Sequence, residues 1–320
     1  MKQLLMFATF APCPGEVGWP RCVRATFFVG SALVLWYLLH HQLEGIFHFF
    51  KFISESAIES ITPDNCVRHA NWSMDSDTHP LSWHPYGYSH VAQTSFELPV
   101  SSDLLYLIAR GALSHGSIDI SDSGETGSDV VQVYISAFYY HESALNRAKV
   151  CLLQPEEGKN GIGIFYQTPL YLRPHLPRED YQLWFKISLR FPSRTAGSRL
   201  IINRLETDLP IFGHQIDDIG NSVLFKSLSL RTTNVPIIVS SLTAERAILS
   251  TTNGNIQGSF NTSTTLELLT SNGAIHADVG LFSRDRYNVT KVSMRTTNGK
   301  IDSNVSLSSV SQDGTGVHSK

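Results

Sequence analysis

Paired carboxylates are the first residues to weigh in a chain rich in short strands, because glycoside cleavage needs two acids facing each other across a cleft. Asp217-Asp218 is the only adjacent acidic pair in the repeat region. Consecutive strand residues point to opposite faces, so these two converge only in a turn. Glu206 and Asp208 share a strand face, with no run of Lys or Arg around them. His79, His84 and His90, with Asp75 and Asp77, invite a metal reading. Their spacings match no H-E-x-x-H helix, and a Pro/Gly/Ser-rich stretch holding solvated histidines is the simpler account. Gly158-Lys-Asn-Gly-Ile-Gly163 lacks the G-K-S/T ending of a phosphate loop and reads as a hairpin turn. There is no G-x-S-x-G elbow and no calcium-binding G-G-x-G-x-D nonapeptide. The residues therefore assign no catalytic group, no cofactor and no metal, and the chain is expected not to be an enzyme.

Composition narrows the classes further. The 320 residues carry a net charge of −3, so no basic field draws in nucleic acid. Apolar residues reach 42%, too many for a disordered chain, and charged residues stop at 17%. The four cysteines, none in a C-x-x-C pair, are too few for a disulfide-stapled scaffold.

The elements that position these residues fall into two regions. In the first, residues 25–39 form a fifteen-residue uncharged run that ends in Trp36-Tyr37-Leu-Leu, and a second apolar patch follows at 45–53. A spanning helix takes about 20 residues, so this run must borrow His40, His41 and Gln42 to cross. The pattern predicts a transmembrane helix at 25–43, with a juxtamembrane helix and linker at 44–95. A signal-peptide core and a buried core helix are the competing readings; the bulky residues after the run argue against cleavage. Lys2, Arg21 and Arg24 precede the run, which places residues 1–24 in the cytosol and the C-terminal region outside or in the lumen. Sequons at Asn71, Asn261, Asn288 and Asn304 all fall on that outer side as candidate N-glycosylation sites. Cys66 and Cys151 share the same side and either form a disulfide or are two unrelated buried thiols.

The second region is all-β. Leu183, Phe185, Ile187, Leu189 and Phe191 alternate with polar residues, and Val131–Ala137 does the same. Then the sequence repeats: Leu230-Arg-Thr-Thr-Asn-Val-Pro-Ile237, Leu249-Ser-Thr-Thr-Asn-Gly-Asn-Ile256, Leu268-Leu-Thr-Ser-Asn-Gly-Ala-Ile275 and Met294-Arg-Thr-Thr-Asn-Gly-Lys-Ile301. Their corners are Asn234, Asn253-Gly254, Asn272-Gly273 and Asn298-Gly299, spaced by 19, 19 and 26 residues, with a fainter copy at Asp208. Asn tolerates and Gly prefers the positive φ of a tight turn, so Gly254 is expected in that conformation. An antiparallel meander with Asn-Gly hairpins is one account. A β-solenoid, single-stranded and β-helix-like, explains better why one pattern stays in register.

These Thr-Thr-Asn-Gly-x-Ile copies resemble the β-strand-repeat "putative adhesin" domains of unknown function, including those of fungal single-pass membrane proteins. The resemblance covers about 97–306 and implies a solenoid-like fold at a surface; it carries no catalytic residue. The expected architecture is a transmembrane helix, a strand-rich cap at 96–197, a β-solenoid at 198–306 and a disordered tail at 307–320. The expected function is a membrane-anchored surface or luminal protein with a non-enzymatic adhesion role toward a glycan or protein partner. A carbohydrate-active β-helix enzyme and a soluble intracellular scaffold are the alternatives.

Overall fold

A computed structural model describes residues 61–74, 87–111, 114–166, 182–194, 198–283 and 289–309. After a 3-10 turn at Pro63–Asn65, the strands are β1 (Cys66–His69), β2 (Ser73–Met74), β3 (His90–Pro99), β4 (Leu104–Arg110), β5 (Gly116–Thr126) and β6 (Val130–Tyr139). A single helical turn, α1 (Glu142–Leu145), leads into β7 (Ala148–Glu156), β8 (Lys159–Tyr166), β9 (Leu183–Ser193), β10 (Leu200–Asp208), β11 (Phe212–Asp218) and β12 (Val223–Arg231). The chain continues through β13 (Ile237–Ser250), β14 (Ile256–Leu269), β15 (Ile275–Ser283), β16 (Lys291–Arg295) and β17 (Ile301–Ser309).

All belong to one 17-stranded sheet whose strands run in two ladders. In the first, β8, β4, β10, β12 and the C-terminal halves of β13 and β14 lie parallel, followed by β16. In the second, β9, β5, β11 and the N-terminal halves of β13 and β14 lie parallel, followed by β15 and β17. Toward the N-terminal side the pairing turns antiparallel: β7 and β1 flank the first ladder, and β6, β3 and β2 the second.

The expected fold class is thereby corrected. In a single-stranded solenoid every contact between successive turns is parallel and each turn has its own corners. Here seven strands of one mixed sheet take part in antiparallel pairs, β1, β2, β3, β6, β7, β8 and β9, the last two also pairing parallel with β4 and β5. Strands β13 and β14, each 14 residues long, run through both ladders with only a shift of register between halves. The transmembrane helix and the N-in placement are corrected as well: no helix among the described residues is long and apolar enough to cross a membrane. The fifteen-residue run was already short of a full span. Residues 25–43, their continuation to 60 and the tail from 310 lie outside the described residues. Within the expected linker, β1, β2 and the start of β3 are strands, paired with β7, β3 and β6 respectively.

The period-2 pattern makes one core between the ladders. Leu230, Leu249 and Leu268 stack in the first, Ile237, Ile256 and Ile275 in the second, and all six are fully buried. Phe185 lies over Phe212, and Phe191 meets Phe225 edge-on.

The repeat corners hold this register. The first Thr of each copy is turned inward, with Thr251 and Thr270 buried. Thr270 Oγ1 donates to the Gly254 carbonyl at 3.1 Å and accepts from the Gly273 amide at 3.1 Å. Thr296 repeats the pair with Gly273 and Gly299 at 3.0 Å each. Gly254 does not adopt positive φ. Its glycine has a different cause: a Cβ there would overlap the Val235 carbonyl, and one at Gly273 the Gly254 carbonyl. The Asn-Gly pairs thus close no hairpins; they let one corner lie directly on the last. Gly273→Ala is expected to lower stability by about 1–3 kcal/mol through forced backbone displacement, read by thermal melting. An unchanged melting temperature would show that the corner has room to give.

Candidate binding face

The outward side of the second ladder gathers the polar groups that the repeat places one and three residues after its aliphatic anchor. Gln257, His276 and Asp302 follow Ile256, Ile275 and Ile301, and the ladder pairs them side by side. Ser259, Asp278 and Asn304 form the next row. Together these strands line a groove of about 310 Å³. Gly258 forms part of its floor, with φ at +150°; a side chain there would strike the Val239 carbonyl. Lys300 Nζ donates to Asp302 at 3.2 Å on the groove rim. Amide, imidazole and carboxylate groups offer both donors and acceptors on rigid strands.

The other expected residues sit elsewhere. Asn253 donates to Asn234, Asn272 to Asn253 and Asn298 to Asn272, each at 2.6 Å, in an exposed ladder along the corners. Asp208 does not belong to that ladder. It ends β10, pairs in register with Arg231, and forms an ion pair with Arg110 at 2.8 Å. Glu206, buried beside it, is held by Arg204. Sequence reading missed these two guanidinium groups: Arg204 is two residues away on the same face, while Arg110 arrives from β4. Asp217 and Asp218 are exposed at the end of β11. Among the described residues, the acids weighed for catalysis are thus consumed by arginines or left at a strand end.

Cys66 and Cys151 are joined in a disulfide spanning 85 residues, with Cα atoms 5.6 Å apart. His69 lies across from Cys151, but both sulfurs are bonded to each other and so withdrawn from any metal. His90 stacks on Tyr139. His79, His84, Asp75, Asp77 and Asn288 lie outside the described residues. Asn71 and Asn304 are exposed, and Asn261 is half-buried. The Gly158 segment is the β7–β8 hairpin, with Gly158 at φ +77°.

A buried polar pair links β10 and β11 in the interior. His214 on β11 points into the interior, and burial pushes its pKa down to about 4, against an opposing hydrogen bond to Phe212. The Phe212 carbonyl can only accept, so Nδ1 carries the proton at 3.0 Å and Nε2 accepts the Thr207 hydroxyl at 2.8 Å. Tyr106 on β4 is fully buried as well, and that burial raises its hydroxyl pKa.

No protein-family model matches this chain. No curated protein matches it. Solved structures do show likeness, at low identity. A "putative cell adhesion protein" of Clostridium sporogenes is 10% identical with a TM-score of 0.37, over 67% of this chain and 100% of the other. A "putative adhesin" of Bacteroides fragilis is 10% identical with a TM-score of 0.27, over 66% and 97%. A "putative lipid binding protein" of Parabacteroides distasonis is 12% identical with a TM-score of 0.28, over 68% and 97%. These named neighbours are bacterial, and the expected kinship with fungal single-pass proteins has no counterpart among them.

The His214 environment yields a pH prediction. An unfolded histidine takes up a proton below about pH 6.5, whereas the native one resists until about pH 4. Stability should therefore fall as pH drops through that window and level off below it, by on the order of 3 kcal/mol from this group. Melting curves from pH 7 to 4 check it, and His214→Gln should flatten the slope. An equally steep slope in that variant would assign the acid sensitivity to other groups.

Proposed function

We propose that this chain is a non-enzymatic interaction protein of the adhesion kind, and that it holds a polyhydroxylated ligand, a glycan chain, in the groove on β14, β15 and β17. The observation that carries this reading is the row Gln257, His276 and Asp302, set at equal offsets on neighbouring strands and bordering a groove of about 310 Å³. Alternating donors and acceptors on a stiff surface match sugar hydroxyls without reorganisation of the protein. The enzymatic alternative loses Asp208 and Glu206 to their arginines. Two carboxylates, Asp278 and Asp302, do line the groove, so binding and cleavage must be read separately.

The test is equilibrium binding of labelled neutral oligosaccharides to the full chain, with chromatography of the ligand afterward. His276→Ala and Asp302→Asn should each weaken binding about tenfold, the loss of a hydrogen bond to a charged or polar partner. Melting temperature should hold, and Asp217→Asn should bind as the parent does. Binding indifferent to both groove substitutions would defeat the assignment. Ligand cleavage abolished by Asp278→Asn would make the chain an enzyme instead.

A further inference from the structure

The two ladders do not finish alike. In the earlier copies the aliphatic anchors Ile256 and Ile275 are fully buried, but the equivalent Ile301 is 41% exposed. Val305 and Leu307, further along the same side of β17, are 51% and 57% exposed. The last strand pairs with β15 and, among the described residues, with nothing on its other side. Its outer edge therefore presents free backbone donors and acceptors beside an apolar row that continues the interior of the molecule. At the N-terminal side, by contrast, antiparallel β6, β3, β1 and β7 close the ladders.

We propose that β17 is the surface on which two copies of this chain pair, antiparallel, about a two-fold axis through Asn304. The sequence of the strand is complementary to itself in that register. Ile301 of one copy faces Leu307 of the other, Ser303 faces Val305, and Asn304 faces Asn304. Asp302 meets Ser306, so no like charges oppose each other across the strand pair. Odd-numbered residues meet odd-numbered ones, which keeps the apolar sides of both strands on one face and joins the two cores. The chain's own residues 310–320 are a poor cover for this edge: they offer Val310 and Val317 among glycines and polar groups. A head-to-tail stack fits less well, since it would set the nine residues of β17 against β2, of two residues, at the far end of the same ladder. The pairing is isologous and closes on itself, so the β17 edge does not propagate into a longer stack.

Asn304 is also a sequon, and a glycan there would occupy the axis. The experiment accordingly uses full-length, unglycosylated chain in sedimentation velocity from about 1 to 200 µM, a range spanning weak to firm association. The parent should pass from monomer to dimer. Val305→Lys and Leu307→Asp should each weaken dimerisation at least tenfold without changing the melting temperature. If either variant fails to fold, Asn304→Cys decides: it should form a symmetric interchain disulfide on mild oxidation, while Asp278→Cys, on the neighbouring strand behind the edge, should not. A parent that stays monomeric throughout overturns the proposal. So does a dimer that survives Val305→Lys, or one in which Asn304→Cys does not cross-link.

Discussion

The close approach of backbone at the repeat corners is the constraint on which the remaining structure depends. At Gly254, Gly273 and Gly299 each corner lies so near the preceding carbonyl that no Cβ fits between them. An inward Thr hydroxyl then binds both layers, accepting from the amide of its own glycine and donating to the carbonyl below. Once that spacing is fixed, the ladders have one register available. Because side chains alternate along a strand, a slip of one residue would turn every aliphatic anchor outward and every polar one inward. The buried isoleucine and leucine columns, the asparagine ladder and the polar rows of the groove are all consequences of a single placement.

These parts do not contribute equally. The aliphatic columns remove large apolar areas from water, and that burial is the main favourable term. The asparagine ladder is exposed, where each amide exchanges a bond to water for a bond to its neighbour, so its net worth per contact is small. Its value is directional: an amide chain with donors pointing toward the preceding copy penalises a misaligned strand. The buried Thr and His214 hydrogen bonds act in the same way with higher stakes, since removing one partner leaves the other unsatisfied in the interior.

The repeat itself was readable in the residues, down to the aliphatic that begins each new strand, because local spacing and chemistry repeat visibly. So was the alternation of β9 and β6. Other features were hidden for identifiable reasons. Glycine at the corners suggested positive φ, a property of one residue, whereas the real requirement is the distance to a different strand. Short β1 and β2 carry no period of their own and exist through their partners, β7 far along the chain and β3. Asp208 resembled a corner by sequence, yet lies in register with Arg231. The groove residues were present at fixed offsets from Ile256, Ile275 and Ile301; finding them needed the parallel register, which converts equal offsets into adjacency.

The third interval of the repeat shows what such a register permits. Asn272 and Asn298 are 26 residues apart rather than 19, yet their side chains meet at the same 2.6 Å as the closer-spaced pairs. Seven additional residues (26 − 19) have been taken up without disturbing the corner. Copy number and inter-copy length are thus separate variables in this architecture. Length can drift between β15 and β16 while the corner stays fixed, so new sequence can be tried there at little cost to folding. Gain or loss of a whole copy would change how many rows the outer face displays, but not the chemistry by which one row recognises the next.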